Sequence, residues 1–339
     1  MKYFYFDSGT TNTRGYLLDG EEIVGSDKIP FGSKDIAVAK GKESLAGPLK
    51  GLFDQVCVAQ GCSQEEIIKI YASGMVTSPY GFLEVDHLLL PVNHQRLHDN
   101  MVSFYEGQCF KREIFLIPGI KTLEKVEGLD QLETMNNTRG EEIQAIGIAA
   151  HLSKEGESGF YGKKYAILFP GSHTHGMLMR GDTIEDAWSM FAGEMFYSLT
   201  HATVLASEVD LESEKPVEND IVIQGLKYLK EYGIARALYL VHTSRIFEVG
   251  DNLKRRDLLS GIICGSVAQS LRIALEKQWH GVETVIVYGS QDLIGPYVLT
   301  LEEEIPWAKI LRMDDSTLEM DAAVMGLQKI VEAGRENHE

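Results

Sequence analysis

The chain has few cysteines and no long apolar segment. Its four cysteines are Cys57, Cys62, Cys109 and Cys264, and their spacing fits no zinc-binding pattern. Free thiols in a reducing compartment are therefore predicted, and whether Cys57 lies beside Cys62 stays open. No apolar run appears long enough for a membrane span, and the one after Met1 is too short for a signal peptide. These absences predict a cytoplasmic protein without a membrane partner.

Positive charge is also scarce. The sequence has 32 Lys and Arg against 50 Asp and Glu, a formal net charge of −18 at pH 7. Binding to a nucleic-acid backbone requires a basic face, so no nucleic-acid partner is predicted. A small anionic substrate is compatible with this charge, provided that local Arg or Lys groups bind it.

The chain does contain a loop motif that occurs twice. Near the N-terminus, an apolar run at residues 3–6 leads into Asp7-Ser8-Gly9-Thr10-Thr11-Asn12. Near the midpoint, an apolar run at residues 165–169 leads into Pro170-Gly171-Ser172-His173-Thr174. Both patterns predict a strand, a tight turn rich in Gly and hydroxyl residues, and a second strand. Their separation is close to half of the chain length, which indicates a duplicated α/β domain.

The first loop has the residue types of a phosphate and metal site. Gly9 permits a close backbone approach or a positive φ. Backbone and side-chain donors that suit phosphate oxygens follow at Thr10, Thr11 and Asn12. Asp7 is predicted to hold Mg²⁺, directly or through water, because Mg²⁺ favours one or two carboxylates plus phosphates. A plain β-hairpin with turn-forming residues is the alternative, and the second copy favours phosphate binding.

The second loop is predicted to bind the β- or γ-phosphate through backbone N–H groups at Gly171, Ser172, His173 and Thr174. His173 and His175 alternate along a predicted strand, so they are expected on opposite faces and not on one metal. For His175 we favour an ordinary hydrogen-bonded residue. A third turn, Gly289-Ser290, lies between a predicted strand and helix and is a weaker candidate to border a base or ribose.

Two acids and two arginines are candidates for catalysis and substrate binding. Transfer of a phosphoryl group to an alcohol usually needs a carboxylate base. Glu141 and Glu142 begin a predicted helix, whose N-terminus favours the ionised carboxylates. Glu141 is the predicted base and Glu142 the second candidate, while acids without a catalytic role are the alternative. Arg14 and Arg139 suit a bidentate contact to a substrate carboxylate, or equally a surface ion pair.

Strands and helices alternate along the chain and Pro is sparse, which predicts an α/β fold. A polar stretch at Lys154–Gly159 predicts domains 1–158 and 159–339, with the last helix a candidate to pack back on the first domain. The Gly261-x-x-x-Gly265 pattern favours close helix packing inside a domain over a membrane dimer. Strands are predicted at 3–6, 13–18, 67–72, 113–117, 165–169 and 282–288, and helices at 192–206, 256–279, 293–301 and 318–333.

With these motifs the chain resembles the 2-keto-3-deoxygalactonate kinases, a family within the sugar-kinase, Hsp70 and actin superfamily, over nearly its whole length. The first loop alone is typical of the superfamily. The segment Arg139–Gly147 and the motif Pro170-Gly171-Ser172-His173 narrow the resemblance to the family. The other matching segments are Ser73–Ser78, Gly193-Glu194, Leu259–Gly261 and Tyr288–Ser290.

The resemblance implies two duplicated RNase H-like domains with ATP, Mg²⁺ and substrate in the cleft between them. It implies transfer of the γ-phosphate to the 6-hydroxyl of 2-dehydro-3-deoxy-D-galactonate in galactonate catabolism. Asp7 and residues 9–12 would form the first phosphate motif, residues 171–174 the second, and Gly289-Ser290 would lie by the adenosine. The sugar-acid pocket would be lined by residues 139–142 and by Gly74, Met75, Val76, Thr77 and Ser78.

Other functions stay open from the sequence alone. Another kinase of the superfamily would use the same ATP loops on 2-keto-3-deoxygluconate, an acetamido sugar or pantothenate. A non-enzymatic ATPase switch is disfavoured, because 339 residues leave no room for an appended peptide-binding domain. A homodimer is compatible with the sequence, which does not give the oligomeric state.

Overall fold

The computed structural model describes residues 1–32, 35–36, 45–125, 128–154, 160 and 162–336. The chain forms two compact units. Unit 1 comprises Met1–Ser158, Asp182–Asp186 and Met320–Glu339, and unit 2 comprises Gly159–Gly181 and Ala187–Glu319. Of the predicted polar linker, only Lys154 lies within the described residues.

The described elements alternate between strands and helices. The strands are β1 (Lys2–Ser8), β2 (Thr13–Asp19), β3 (Glu22–Ile29), β4 (Ile67–Gly74), β5 (Leu88–Leu89), β6 (Val102–Glu106), β7 (Arg112–Leu116), β8 (Ile120–Lys121), β9 (Asn137–Thr138), β10 (Lys164–Phe169), β11 (Thr174–Arg180), β12 (Thr183–Met190), β13 (Thr284–Tyr288) and β14 (Lys309–Met313). The helices are α1 (Ala46–Ala59), α2 (His94–Asp99), α3 (Glu141–Lys154), α4 (Gly193–Ala202), α5 (Asn219–Ile246), α6 (Asn252–Lys277), α7 (Gln291–Glu304) and α8 (Ala322–Glu336).

The two units contain the same strand pattern. In unit 1 the main sheet has the order β3-β2-β1-β4-β7-β6, and in unit 2 the order is β12-β11-β10-β13-β14. Strand β1 is antiparallel to β2 and parallel to β4, and β10 is likewise antiparallel to β11 and parallel to β13. Strand β6 is an addition at the edge of the first sheet. The predicted duplicated α/β fold of the RNase H type is thus confirmed.

The core of unit 1 forms where β1 meets α1. Phe4 and Phe6 are fully buried, and the ring centroids of Phe4 and Phe53 lie 4.8 Å apart. Strand β1 is apolar on both faces, as expected for a central strand that is covered on both sides. The strand continues directly into Asp7, so this rigid core fixes where the polar residues after it begin.

Helices α3 and α8 cross closely in unit 1. A Cβ at Gly147 would lie 2.0 Å from the carbonyl oxygen of Ala322, and one at Gly326 would lie 1.9 Å from that of Ile143. Only glycine fits both positions, because real Cβ atoms do not approach oxygen so closely. The crossing fixes the position of α3, whose first turn carries the candidate acids.

Gly147→Ala is expected to destabilise the chain by roughly 1–3 kcal/mol or more, because the added methyl forces the two helices apart. Gly51→Ala is the matched control. Gly51 lies in α1, where a Cβ would meet nothing within 4 Å, so this change is expected to stabilise by about 0.5–1 kcal/mol. Urea unfolding of both variants measures the difference, and equal effects would refute the tight crossing.

Helix α6 corrects one expectation from the sequence. By length and apolar composition alone it could cross a membrane, although no run was expected to reach that length. However, 67% of its most apolar window is buried. A Cβ at Gly261 would lie 1.9 Å from the carbonyl oxygen of Val222 on α5, and one at Gly265 would lie 2.8 Å from the Leu226 side chain. The predicted close packing of this glycine pair inside the domain is confirmed.

The four cysteines are free thiols, as predicted. Cys57 and Cys62 lie close together, because the Cys62 N–H donates to the Cys57 carbonyl at 2.9 Å. Burial raises the pKa of Cys57 to about 11, so its thiol is protonated and unreactive at neutral pH.

Candidate functional site

A polar cavity of about 200 Å³ lies in unit 1, where the turn between β1 and β2 faces the start of α3. Strands β1 and β2 and their turn contribute Asp7, Ser8, Gly9, Thr11, Asn12 and Arg14. The segment that leads into α3 contributes Arg139, Gly140, Glu141 and Gln144. The structure thus brings together parts of the chain that are more than a hundred residues apart and that were predicted separately as site residues.

The turn between β1 and β2 is closed by the Gly9 N–H, which donates to the Asn12 carbonyl at 2.8 Å. The strands are paired up to this point, with Asp7 opposite Arg14. Gly9 has no positive φ. Glycine suits this position because a Cβ there would be only 3.2 Å from the Asn12 oxygen. Thr10 does not line the cavity; its carbonyl oxygen lies beside Gly32, where a Cβ would be 2.5 Å away.

Two glycines let the end of β4 and the start of α3 approach the turn. Gly74 has φ +77°, and a Cβ there would lie 2.3 Å from the Ser8 carbonyl oxygen. Gly140 has φ +114°, and its Cβ position lies 3.6 Å from the Gly74 Cα. Both backbones are in the region that favours glycine. Without side chains at these two positions, the backbones at Ser8, Gly74 and Gly140 can lie close together beside the cavity.

The two candidate acids have different environments. Glu141 lines the cavity and accepts a hydrogen bond from the Thr138 hydroxyl. Glu142 is fully buried, and both of its carboxylate oxygens accept the Gly140 N–H, at 2.9 and 2.8 Å. Burial raises the pKa of Glu142 to about 8, with the Glu141 charge adding to the shift. Glu142 thus holds the Gly140 turn from behind the cavity, and Glu141 is the acid at its surface.

The Arg139 guanidinium is largely engaged by the protein itself. Its Nη1 donates to the Thr77 carbonyl at 2.6 Å and to the Thr77 hydroxyl at 2.7 Å. Its Nη2 donates to the Val85 carbonyl at 2.8 Å and approaches His87 Nδ1 at 3.3 Å. Burial lowers the pKa of Arg139 from its ordinary value. Arg139 lines the cavity but also ties down the loop that follows β4.

Arg14 lies on β2 with 44% of its side chain exposed, and it lines the cavity. Its Nη1 donates to Asp321 Oδ2 at 3.1 Å. Asp321 also accepts the Tyr16 hydroxyl at 2.6 Å. Of the two predicted carboxylate-binding arginines, Arg14 is the one whose guanidinium is more open to a ligand.

The predicted sugar-acid segment after β4 lies mostly in the protein interior. Val76, Thr77 and Ser78 are buried, and the Thr77 hydroxyl donates to the Gly74 carbonyl at 2.8 Å. Met75 is half-buried, and residues 74–78 do not line the cavity. Their observed contribution is indirect, through Gly74 and through the bonds from Arg139 to Thr77.

In unit 2 the second glycine turn packs against the start of α4. The Glu194 N–H donates to the Ser172 carbonyl at 2.8 Å, and a Cβ at Gly193 would lie 2.1 Å from the Gly171 oxygen. The Thr174 hydroxyl lies 3.1 Å from the Tyr297 hydroxyl on α7. Gly171 and His173 are exposed, and Thr174 is buried. The turn is therefore anchored to two helices while its tip faces solvent.

The predicted adenosine residues lie beside this turn. The Gly289 N–H donates to the Met313 carbonyl at 3.2 Å, and the Cβ position of Gly289 lies 3.9 Å from Pro170. Ser290 directly precedes α7. Within unit 2, the structure thus places Gly289-Ser290 and the second glycine turn on neighbouring parts of one sheet edge.

One expectation for the histidines is wrong. The ring centroids of His173 and His175 lie 6.1 Å apart, so the two side chains are not on opposite faces. The physical reason is that side chains alternate with a period of two along extended backbone, so two residues that are two positions apart share a face. His175 is buried and its Nδ1 lies 3.0 Å from the Ser189 hydroxyl, so its prediction as a hydrogen-bonded residue is confirmed.

Two cavity residues, and a nearby pair of residues that contacts Arg14, were not predicted as site residues. Ser8 and Gln144 line the cavity. Gln144 follows Glu141 by three residues, and this helical spacing places both on one face of α3. The contact between Tyr16 and Asp321 could not be predicted from a local sequence pattern, because almost the whole chain separates the two residues.

The sequence and the structure of the chain are similar to those of known proteins. A family model described as 2-keto-3-deoxy-galactonokinase matches residues 7–324. A structure assigned as a 2-dehydro-3-deoxygalactonokinase from Sinorhizobium meliloti is similar, with a TM-score of 0.73, 19% identity and 99% of each chain covered. Component A of the Acidaminococcus fermentans (R)-2-hydroxyglutaryl-CoA dehydratase has a TM-score of 0.52 at 13% identity, over 98% of this chain and 99% of that one. A search of curated protein sequences gives no significant match.

The family model defines a kinase, and its fold is the duplicated α/β architecture of the actin-like ATPases and sugar kinases. The structural similarities, all at low identity, support the fold, and the family model supports the activity. The chain belongs to the 2-keto-3-deoxy-galactonokinase family, because the family model covers nearly its whole length. It is therefore a carbohydrate kinase with a sugar-acid acceptor.

Proposed function

We propose that the chain transfers the γ-phosphate of ATP, in the presence of Mg²⁺, to the 6-hydroxyl of 2-dehydro-3-deoxy-D-galactonate, in galactonate catabolism in the cytoplasm. The observation that carries this proposal is the cavity of unit 1, where Asp7, Arg14 and Glu141 converge on a glycine turn. A carboxylate for the metal, a cation for the acceptor and a base are the groups that this reaction needs.

The donor set at the cavity fits a magnesium ion held mainly by phosphate. Within the described ranges, no cluster of three His, Cys, Asp or Glu side chains is placed to hold a metal. Mg²⁺ commonly uses one or two carboxylates together with phosphate oxygens and water, and Asp7 supplies such a carboxylate. Bound Mg²⁺ would neutralise charge on the phosphates. Asp7 would hold it, directly or through water, at the end of β1.

Glu141 is the proposed base. Its carboxylate lines the cavity, and the Thr138 hydroxyl that donates to it fixes its orientation. In this role Glu141 accepts the proton of the acceptor hydroxyl as the oxygen attacks phosphorus. Glu142 is not suited to this role, because it is fully buried and bonded to the Gly140 N–H.

We assign acceptor binding, the magnesium ion and the phosphate contacts of residues 9–12 to unit 1, and the remaining nucleotide contacts to unit 2. Arg14 would bind the sugar-acid carboxylate, since a guanidinium suits a planar carboxylate. In unit 2, the turn at residues 171–174 would bind phosphate through its backbone, and Gly289-Ser290, at the start of α7, would lie by the adenosine. Helix starts favour anions through their N–H groups and dipole, which supports a phosphate-rich ligand near this edge.

The proposal is tested by coupled ADP release with Mg·ATP and three acceptors. These are 2-keto-3-deoxygalactonate, its gluconate epimer and a neutral hexose, each measured with and without EDTA. ADP release is expected only with a sugar acid, is expected to be fastest with the galactonate form, and should stop with EDTA. Release without any acceptor would indicate an ATPase switch, and preference for the neutral hexose would contradict the sugar-acid assignment.

A further inference from the structure

Asp321 connects strand β2 to the first turn of α8 through one carboxylate. Its Oδ2 accepts the Tyr16 hydroxyl at 2.6 Å and Arg14 Nη1 at 3.1 Å. Its Oδ1 accepts the N–H of Ala323, in the first turn of α8, at 2.9 Å. The side chain of Asp321 is only 12% exposed. The bonds from Tyr16 and Ala323 hold the carboxylate in one orientation, so it is already positioned to accept from Arg14.

Arg14 needs such a partner if it is to bind a ligand with a fixed geometry. Its side chain projects from β2 and is 44% exposed, and a long side chain of this kind loses considerable rotamer entropy when it is ordered. The bond to Asp321 is an ion pair with one half-buried partner. Burial raises the pKa of Tyr16 above its ordinary value, with the Asp321 charge adding to the shift, so the Tyr16 hydroxyl remains a donor to Asp321.

We propose that Asp321, supported by Tyr16, is a positioning residue that holds the Arg14 guanidinium at the cavity, where Arg14 binds the acceptor carboxylate. The proposal rests on the proposed function. A guanidinium has five N–H donors in a rigid fork, and Asp321 takes one of them. Helix α8 would therefore contribute to substrate specificity without touching the substrate.

Asp321→Asn is the informative variant, because Asn is also a good helix cap and its single side-chain oxygen can keep the bond from the Ala323 N–H. The amide NH₂ that replaces Oδ2 can donate to the Tyr16 oxygen but cannot accept from Arg14, so the variant removes the charge-assisted bond. The KM for the sugar acid is expected to rise about tenfold, with kcat and the KM for ATP changed less than about twofold. Arg14→Gln is expected to raise the same KM by at least as much. In the Arg14→Gln background, Asp321→Asn should have no further effect, since the two residues act as one unit.

Gln328→Ala is the matched control. Gln328 also projects from α8, and its Nε2 donates to the Glu21 carbonyl at 2.7 Å. The substitution therefore removes a polar contact of α8 that does not involve Arg14. Its KM for the sugar acid is expected to match the unaltered chain.

Three results would overturn the inference. They are an unchanged sugar-acid KM in Asp321→Asn, additive effects in the double variant, and an equal rise in both KM values, which would indicate a general structural defect. If the unaltered chain phosphorylates no sugar acid, the proposed function itself fails. If it does so and Asp321→Asn has no effect on the KM, only the positioning role fails.

Discussion

Glu141→Gln is expected to lower kcat for phosphoryl transfer about 10²- to 10⁴-fold, the usual contribution of a positioned general base. The substitution keeps the size of the side chain and its capacity to accept the Thr138 hydroxyl, but it removes the group that takes the proton. Because Glu141 lines the cavity and α3 is held by its crossing with α8, the fold is expected to remain intact. Steady-state kinetics with the sugar acid and Mg·ATP measure the effect.

Glu22→Gln is the control for the loss of one negative charge. Glu22 is an exposed residue at the start of β3, so its variant is expected to retain full activity. A Glu141→Gln variant with kcat within about threefold of the unaltered chain would rule out this base, because even a weak general base contributes far more. A rise in KM alone would instead assign Glu141 to substrate binding.

Glu142→Gln is expected to change how stability depends on pH. The pKa of Glu142 is raised by burial from about 4.5 to about 8 in the folded chain. Between these two values the folded chain holds a proton that the unfolded chain has released. The stabilising contribution of the protonated carboxyl is therefore complete below about pH 4.5 and is lost as the pH rises towards 8, by on the order of 1 kcal/mol per pH unit.

Gln does not titrate, yet its side-chain oxygen can still accept the Gly140 N–H. The difference in free energy of unfolding, Glu142→Gln minus the unaltered chain, should therefore rise steadily from pH 5.5 to pH 8. Urea unfolding at several pH values gives this difference, and Glu22→Gln serves again as the charge control. A difference that does not depend on pH would contradict a buried, protonated Glu142.

The strand framework could be predicted from the sequence because each central strand carries a short apolar run, such as residues 3–6 in β1 and 114–116 in β7. The predicted strands at 67–72 and 113–117 correspond to β4 and β7, and the helix predicted at 256–279 corresponds to α6. Helix α1 was not predicted, because Gly47, Pro48 and Gly51 disfavour a helix locally. Phe53 packs on Phe4 of β1 and Leu52 lies against Gly15 of β2, and this tertiary burial outweighs the local preference.

Part of the site was also predictable. Asp7 lies near the end of a strand, just before Gly9, and Glu141 begins a helix directly after Gly140. Both residues line the cavity. The sequence did not separate Glu141 from Glu142, because adjacent acids have the same local pattern and only the packing of α3 buries one of them. The engagement of Arg139 with Thr77 and of Arg14 with Asp321 depends on contacts between distant segments. The spacing of residues within a short sequence segment does not predict such contacts.

The most direct test of the central claim is ³¹P NMR of the product formed from 2-keto-3-deoxygalactonate and Mg·ATP. We expect one phosphomonoester signal, coupled to the two protons of C6, that appears in equal amount with ADP. An ester at another hydroxyl would contradict the proposed position of transfer. Inorganic phosphate in place of an ester would contradict the assignment of this chain as a sugar-acid kinase.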